Sequence, residues 1–154
     1  MQCSKKESAH LARIPDIALL LGWAGVIPFA ALVVVAVCGA PAYAGAGLAA
    51  LVGYGAIILS FMGGVLWGLE MSQSRSQVGY AVSIVPALVA VSAMLSQATY
   101  GILLLLCGFA GLLAHDVKYS QAGSAPSWYP VLRWQLTGAV IALLSLALLF
   151  ARQP

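Results

Sequence analysis

Side chains capable of acid–base chemistry are rare in this chain and lie at the ends of apolar segments. Glu70, Asp116 and Arg133 each stand where an apolar run begins or ends. If those ends meet, Arg133 can pair with Asp116 or Glu70 through charge-assisted hydrogen bonds at the level of the lipid headgroups. Charges that merely orient the chain in a membrane give the same pattern. We therefore treat these three residues as a candidate inner-face polar cluster, with both interpretations open.

No pattern indicates an enzyme. His10 and His115 have no partners at metal-ligand spacing, and the three cysteines do not form a zinc motif. The hydroxyls of Ser60, Ser83 and Ser92 have no base at a suitable spacing, which a nucleophile requires. No ionisable residue falls deep in an apolar segment, where proton-coupled carriers usually place one. We expect no catalytic residue, no metal and no cofactor.

Composition places nearly the whole chain in a membrane. Hydrophobic residues make up 62% of the 154 residues and charged residues 7%, whereas soluble domains carry about 25% charged residues. The net charge of +3 suits anionic lipid headgroups, and no clustered basic face is present for nucleic acid. We expect the lipid bilayer as a partner and no nucleic acid.

Five apolar segments are predicted to cross the bilayer as helices. We place them at about 17–38, 47–69, 79–95, 100–114 and 135–151, after a polar tail over 1–16. Residues 79–114 are divided in two because one helix of that length would reach about 54 Å, against a hydrocarbon core of about 30 Å. The predicted fold is an all-α integral membrane bundle that forms one domain over 17–151.

Basic residues predict the orientation of the bundle. Six of the seven Lys and Arg residues fall on one side of the five spans, and Arg152 falls on the other. Since basic residues stay cytoplasmic during insertion, the N-terminus is predicted to be cytoplasmic and the C-terminus outside. The run Ala42-Tyr43-Ala44 imitates a signal-peptide cleavage site, but the apolar run before it is long enough to span, so we expect it to be retained. No Arg-rich transit segment is evident, which favours a bacterial inner membrane.

Proline interrupts two of the spans. Pro28 and Pro86 each remove a backbone hydrogen bond and free the carbonyl four residues earlier, which predicts kinks. Two kinked helices can line a cavity, here closed by Trp67 or Trp128. The alternative is that both kinks serve packing alone.

Small residues form a stripe along span two. Such a stripe lets another backbone approach closely, from the same chain or from a second molecule. We expect contact within the chain in the first place. The members of the stripe are Ser60, Gly63, Gly64 and Gly68.

Aromatic residues mark the connection between spans four and five. Trp128, Tyr129 and Trp134 have the amphipathic character of interfacial anchors. This connection, 115–134, is the one with room for structure of its own. The outer connections 39–46 and 96–99 are short, which predicts antiparallel hairpins.

The run Val52-Gly53-Tyr54-Gly55 matches the core of a potassium-channel filter. A filter requires an extended re-entrant loop behind a pore helix, whereas this run opens a continuous apolar span. We interpret the match as chance.

Several segments together resemble a known family. They are Ile14-Pro15-Asp16, Leu21-Gly22-Trp23-Ala24-Gly25-Val26-Ile27-Pro28-Phe29, Tyr54-Gly55-Ala56-Ile57-Ile58-Leu59-Ser60-Phe61-Met62-Gly63-Gly64-Val65-Leu66-Trp67-Gly68, Ser83-Ile84-Val85-Pro86-Ala87-Leu88 and Pro126-Ser127-Trp128-Tyr129-Pro130-Val131-Leu132-Arg133. In this order they resemble the domain of unknown function 3429 family, the transmembrane protein 69-like small membrane proteins. Family members often carry His or Arg where this chain has Leu66. The resemblance implies a small multi-span membrane protein with no established activity and supplies no catalytic residues.

Two kinds of function remain open from sequence. The first is a non-enzymatic structural or partner-binding role, with another membrane protein or a second copy of the chain as partner. The alternative is a binder of a small apolar ligand, a lipid or a tetrapyrrole, in a cavity within the bundle, or else a small transporter or channel.

Overall fold

Helices account for nearly all of the described chain. The computed structural model describes residues 14–73, 77–121 and 128–150. Most of the polar tail, and several of the basic residues used to predict the orientation, therefore lie outside the described residues. The helices are α1 (Asp16–Cys38), α2 (Pro41–Gln73), α3 (Gln77–Leu95), α4 (Ala98–Gln121) and α5 (Tyr129–Phe150). The predicted all-α class is confirmed.

Four of the described helices are long and apolar enough to cross a membrane. These are α1, α2, α4 and α5. In α3 the apolar part, Gly79–Leu95, is shorter; at 1.5 Å per residue it reaches about 26 Å. Membrane character is therefore supported, and α3 as a fifth crossing stays a prediction.

Helices extend past the spans expected from hydropathy. The second begins at Pro41, the fourth runs on to Gln121 and the fifth already begins at Tyr129. Only Gly39 and Ala40 separate α1 from α2, and most of the expected connection 115–134 belongs to α4 and α5. Hydropathy marks where the chain leaves the hydrocarbon core of the membrane, whereas a helix continues until its backbone hydrogen bonds end. Pro41 suits a helix start because its missing N–H is not needed there.

The helices form a ring in chain order. Each helix packs against its sequence neighbours, α5 returns to α1, and α2 meets α4 across the middle. Because consecutive helices joined by short connections run antiparallel, the ends of α2 and α4 share one side of the bundle with the starts of α1, α3 and α5. We call this side the polar end, since Glu70, Asp116 and Arg133 lie towards it.

An apolar core fills the ring. Phe29 of α1 is fully buried and its ring meets Tyr54 of α2 at 4.9 Å and Phe109 of α4 at 6.3 Å, both edge-on. Large apolar side chains also cover the outside, for example Leu88 and Leu149 at 63% and 74% exposure. An apolar surface of this kind suits lipid rather than water.

The two proline-containing helices lie apart from each other. Pro28 lies inside α1 and Pro86 inside α3. The first of these helices packs against α2 and α5, and the second against α2 and α4. Each of these two helices thus packs against α2, and neither pocket described below is lined by residues of both. Near Pro28, the hydroxyl of Tyr54 donates to the carbonyl of Gly25 at 2.9 Å.

The run Val52-Gly53-Tyr54-Gly55 lies inside α2 as ordinary helix. A potassium filter needs an extended backbone whose carbonyls point at the ion. The interpretation as a chance match agrees with this helical geometry.

Gly63 and Gly64 provide a matched pair of substitutions for the packing of α2 on α3. A Cβ at Gly63 would lie 2.7 Å from the Ser83 carbonyl oxygen, whereas at Gly64 no described atom lies within 4 Å. Gly63→Ala is expected to destabilise the bundle by about 1–3 kcal/mol, because the backbone of α3 must move. Gly64→Ala should keep or raise stability through helix propensity. Thermal unfolding in detergent, followed by circular dichroism, measures both; equal effects of the two variants would contradict this packing.

Candidate functional site

A buried ion pair joins α4 to α5 at the polar end. Arg133 Nε donates to Asp116 Oδ2 at 2.6 Å, and the two side chains are 8% and 2% exposed. The structure thus brings together two members of the polar cluster. Leaving either charge alone among apolar helices would cost far more than the pair does. The pair therefore constrains where these two helices meet.

Of the two remaining nitrogens of the Arg133 guanidinium, one has a hydrogen-bond partner among the described residues. Nη1 donates to the sulfur of Met62 on α2, a weak acceptor. Nη2 is buried and has no hydrogen-bond partner among the described residues. One strong donor therefore remains unsatisfied inside the bundle.

Glu70 lies apart from this pair. It is 6% exposed, and a Cβ at Gly79 would overlap its carboxyl group, so the carboxyl group lies against the start of α3. Its Oε2 has no hydrogen-bond partner within the described part of the chain. Met62, which contacts Arg133, precedes Glu70 by about 12 Å along the axis of α2. The polar cluster predicted from sequence is thus divided between the α2–α3 and α4–α5 contacts.

An apolar pocket lies between α1, α2 and α5, and we call it the α1–α5 pocket. Its volume is about 140 Å³. Among the described residues that line it, Arg133 and Thr137 alone carry nitrogen or oxygen in their side chains. Leu21 and Phe61, at 65% and 64% exposure, lie at its mouth. The pocket therefore opens on the apolar outer surface of the helices.

The walls of the α1–α5 pocket are mostly carbon. A Cβ built on Gly25 would meet no described atom within 4 Å, so this glycine borders empty space. The lining residues are Leu21, Gly22, Gly25, Val26, Phe29, Ile58, Phe61, Met62, Phe109, Arg133, Leu136, Thr137 and Val140.

A second cavity of about 390 Å³ lies against α3 and α4. Pro86 and His115 line it, as do the exposed residues Val85, Cys107 and Gly111. It is therefore a groove on the outside of the bundle. Neither of the tryptophans expected to close a cavity lines this groove or the α1–α5 pocket.

The small-residue stripe of α2 is split between two faces. Gly63 is buried against α3, whereas Gly64 and Gly68 are exposed with no described atom within 4 Å of a built Cβ. Ser60 is half-buried. The face carrying the two exposed glycines has no partner among the described residues of this chain.

The aromatic anchors lie at the start of α5. Trp128 and Tyr129 pack edge-on with ring centres 6.2 Å apart, and Trp134 is 61% exposed. Sequence reasoning missed a further aromatic contact, between Trp67 of α2 and Tyr80 of α3 at 5.1 Å. The signal in the sequence was an aromatic residue on each side of a short connection, which by itself is too common a pattern to predict a contact.

Two of the three hydroxyl groups considered as nucleophiles, those of Ser83 and Ser92, bond within their own helices. Ser83 donates to the Tyr80 carbonyl at 2.7 Å, and Ser92 donates to the Leu88 carbonyl at 2.9 Å. Such bonds to the preceding turn are the ordinary state of serine in a helix. Within the described ranges, no three His, Cys, Asp or Glu side chains are grouped to hold a metal.

A match to a known protein family covers nearly the whole helical region. The family described as Protein of unknown function (DUF3429) matches residues 14–149, from just before α1 to the end of α5. The chain belongs to this family. The resemblance noted in the sequence is thereby confirmed.

One curated relative of this DUF3429 chain is Transmembrane protein 69 of Xenopus tropicalis. It is 38% identical over 141 residues, which cover 86% of this chain and 53% of the relative. The DUF3429 chain thus spans about half the length of the curated relative that it matches. No solved structure matches it significantly.

Single and double substitutions test the ion pair of this DUF3429 chain. Arg133→Met or Asp116→Leu alone leaves a buried charge without its partner, so each is expected to destabilise by about 3–5 kcal/mol. The double variant Asp116→Leu/Arg133→Met should regain most of that loss, because no charge remains buried. Reversible unfolding in mixed micelles measures all three. Additive losses in the double variant would show that the pair is not coupled.

Proposed function

We propose that this protein is a non-enzymatic membrane protein that binds a small, mainly apolar ligand in the α1–α5 pocket. The observation that carries the proposal is the apolar pocket of about 140 Å³ itself, which Gly25 leaves open and which Arg133 and Thr137 border. Ligand pockets are typically apolar with a few polar groups that orient the ligand.

The size of the pocket limits the ligand. Its volume of about 140 Å³ is close to that of an engineered apolar cavity of roughly 150 Å³ that holds benzene. A single ring or a short piece of lipid chain fits this space, with the remainder of the ligand outside. A whole tetrapyrrole does not, so a lipid-like ligand is the better candidate.

The membrane setting is part of the proposal. We place the polar end on the cytoplasmic side and the C-terminus outside, in a bacterial inner membrane, with α3 as a fifth crossing. Six of the seven basic residues support this orientation. The short apolar part of α3 fits if the bilayer thins locally. The match to a eukaryotic relative makes an organellar membrane the alternative location.

Partner binding is the second candidate function. It is supported by the exposed Gly64 and Gly68, whose face is open to close approach of another helix. A second copy of this chain or a different membrane protein would fit there. No role for nucleic acid is proposed.

The partner candidate predicts a defect from one substitution. Gly64→Leu should abolish any detergent-resistant complex, because the side chain would hold the partner backbone away. Gly138→Leu is the matched control, since Gly138 is also exposed and open. Size-exclusion chromatography with light scattering measures the complex. An unchanged complex in Gly64→Leu would exclude this face as the contact.

The ligand proposal predicts that filling the pocket prevents binding. A Cβ at Gly25 would meet no described atom within 4 Å, so Gly25→Leu directs a side chain into the space beside α1. Gly138→Leu again serves as the control outside the pocket. Native mass spectrometry of protein released gently from its own membrane is expected to show a defined adduct for wild type and Gly138→Leu. The adduct should be absent from Gly25→Leu. Its absence from wild type, or its persistence in Gly25→Leu, would contradict the proposal.

A further inference from the structure

An open apolar groove runs along the outside of the bundle between α4 and α5, and we call it the α4–α5 groove. Its volume is about 590 Å³, within the range of about 300–1,000 Å³ that is usual for ligand sites. It shares no lining residue with the α1–α5 pocket, so an occupant here goes beyond the proposed function. We infer that the α4–α5 groove binds an anionic phospholipid, with the phosphate at Lys118 and one acyl chain along the groove.

Small side chains of α4 leave room for the acyl chain. Ala110 and Ala114 are exposed, line the groove and lie one turn apart on the same helix face. Ile141 lines it from α5. From Ala110 to Lys118 the helix rises about 12 Å. An acyl chain that follows this length meets carbon throughout.

The two polar side chains that line the groove lie at one end of it. Lys118 is near the end of α4 and Trp134 near the start of α5, so both lie towards the polar end of the bundle. The part of α4 that is long and apolar enough to cross a membrane ends at Lys118. These side chains therefore lie where lipid headgroups are expected, and the apolar remainder of the groove lies at the depth of the acyl chains.

This distribution matches a phospholipid better than a partner helix. A phospholipid has one polar end and long apolar chains, as the groove requires. A transmembrane helix laid in the groove would cover the lysine and would have to supply an acidic residue there. Trp134 is 61% exposed, and its indole N–H can donate to a phosphate or ester oxygen, as tryptophan commonly does at the membrane interface.

The charge of Lys118 selects an anionic headgroup. Lys118 is exposed and forms no ion pair with any described acidic residue. The nearby Asp116 is already paired with Arg133, at 2.6 Å. One lysine at the membrane surface strengthens the attraction of anionic lipid roughly fivefold. A zwitterionic headgroup gains less, because its ammonium group offsets its phosphate.

Two lipids with the same oleoyl chains test the headgroup preference. Dioleoylphosphatidylglycerol is anionic and dioleoylphosphatidylcholine is zwitterionic. Equal amounts of both are added to the full chain in detergent micelles, and native mass spectrometry counts each bound lipid by its mass, apart from any adduct of the α1–α5 pocket. Wild type is expected to bind the anionic lipid about fivefold more. Equal binding of the two lipids would overturn the inference.

Lys118→Gln is expected to lose this preference, because it removes the charge at the end of the groove. Arg75→Gln is the matched control, since it removes the same charge from the connection between α2 and α3, and it should keep the preference. An equal loss in both variants would show that the net charge of the protein, rather than the groove, attracts the lipid.

Ala114→Leu tests the position of the acyl chain. It narrows the groove and should weaken binding of both lipids about fivefold or more, whereas Ala81→Leu, exposed on α3 outside the groove, should not. Unchanged binding in Ala114→Leu would exclude this groove as the site. A wild-type dimer that Ala114→Leu dissociates would overturn the inference in favour of a second copy of the chain.

Gly25→Leu separates this inference from the proposed function. It alters the α1–α5 pocket and should leave the preference for the anionic lipid unchanged. Loss of the preference in Gly25→Leu would place the lipid in the α1–α5 pocket, which would overturn this inference and leave the proposed function standing.

Discussion

The structure depends on one constraint: a guanidinium is buried among apolar helices, where no solvent satisfies its donors. Asp116 balances the charge of Arg133 and accepts one of its hydrogen bonds at 2.6 Å, and Met62 of α2 accepts a second, weaker one. Through these contacts one side chain connects three helices. In a bilayer each polar group must find its partner within the protein or in a ligand, so the position of this side chain restricts how α2, α4 and α5 pack.

The α1–α5 pocket is connected to this constraint. The ring of five helices closes through α5 and α1, and the contact of α2 with α4 divides the interior in two. On the α1 side of that contact, Gly25 borders open space, and Arg133 lines the same pocket from α5. The buried ion pair and a ring-sized space therefore adjoin each other. This coincidence, rather than the volume alone, distinguishes the pocket from the larger external groove beside α3.

Much of the fold follows from the sequence, whereas the geometry of the site does not. Apolar runs located all five helices, and the resemblance to the DUF3429 family is confirmed by the match over 14–149. The helix ends differ from the predicted ones because hydropathy marks the edge of the hydrocarbon core and not the last backbone hydrogen bond of the helix. The sequence allowed Arg133 to pair with Asp116 or Glu70, but choosing between them requires the register of α4 against α5. The position of Glu70 against Gly79 likewise depends on how α2 meets α3.

Solid-state nitrogen NMR of Arg133 in native lipid tests most directly whether the Arg133–Asp116 ion pair borders the α1–α5 pocket. Arginine labelled with nitrogen-15 gives separate Nε and Nη signals, and Arg133→Lys assigns those of this residue. When Gly25→Leu fills the pocket, one Nη signal is expected to shift while the Nε signal, held by Asp116, remains in place. Unchanged Nη signals, or an Nε signal without a carboxylate partner, would contradict this arrangement.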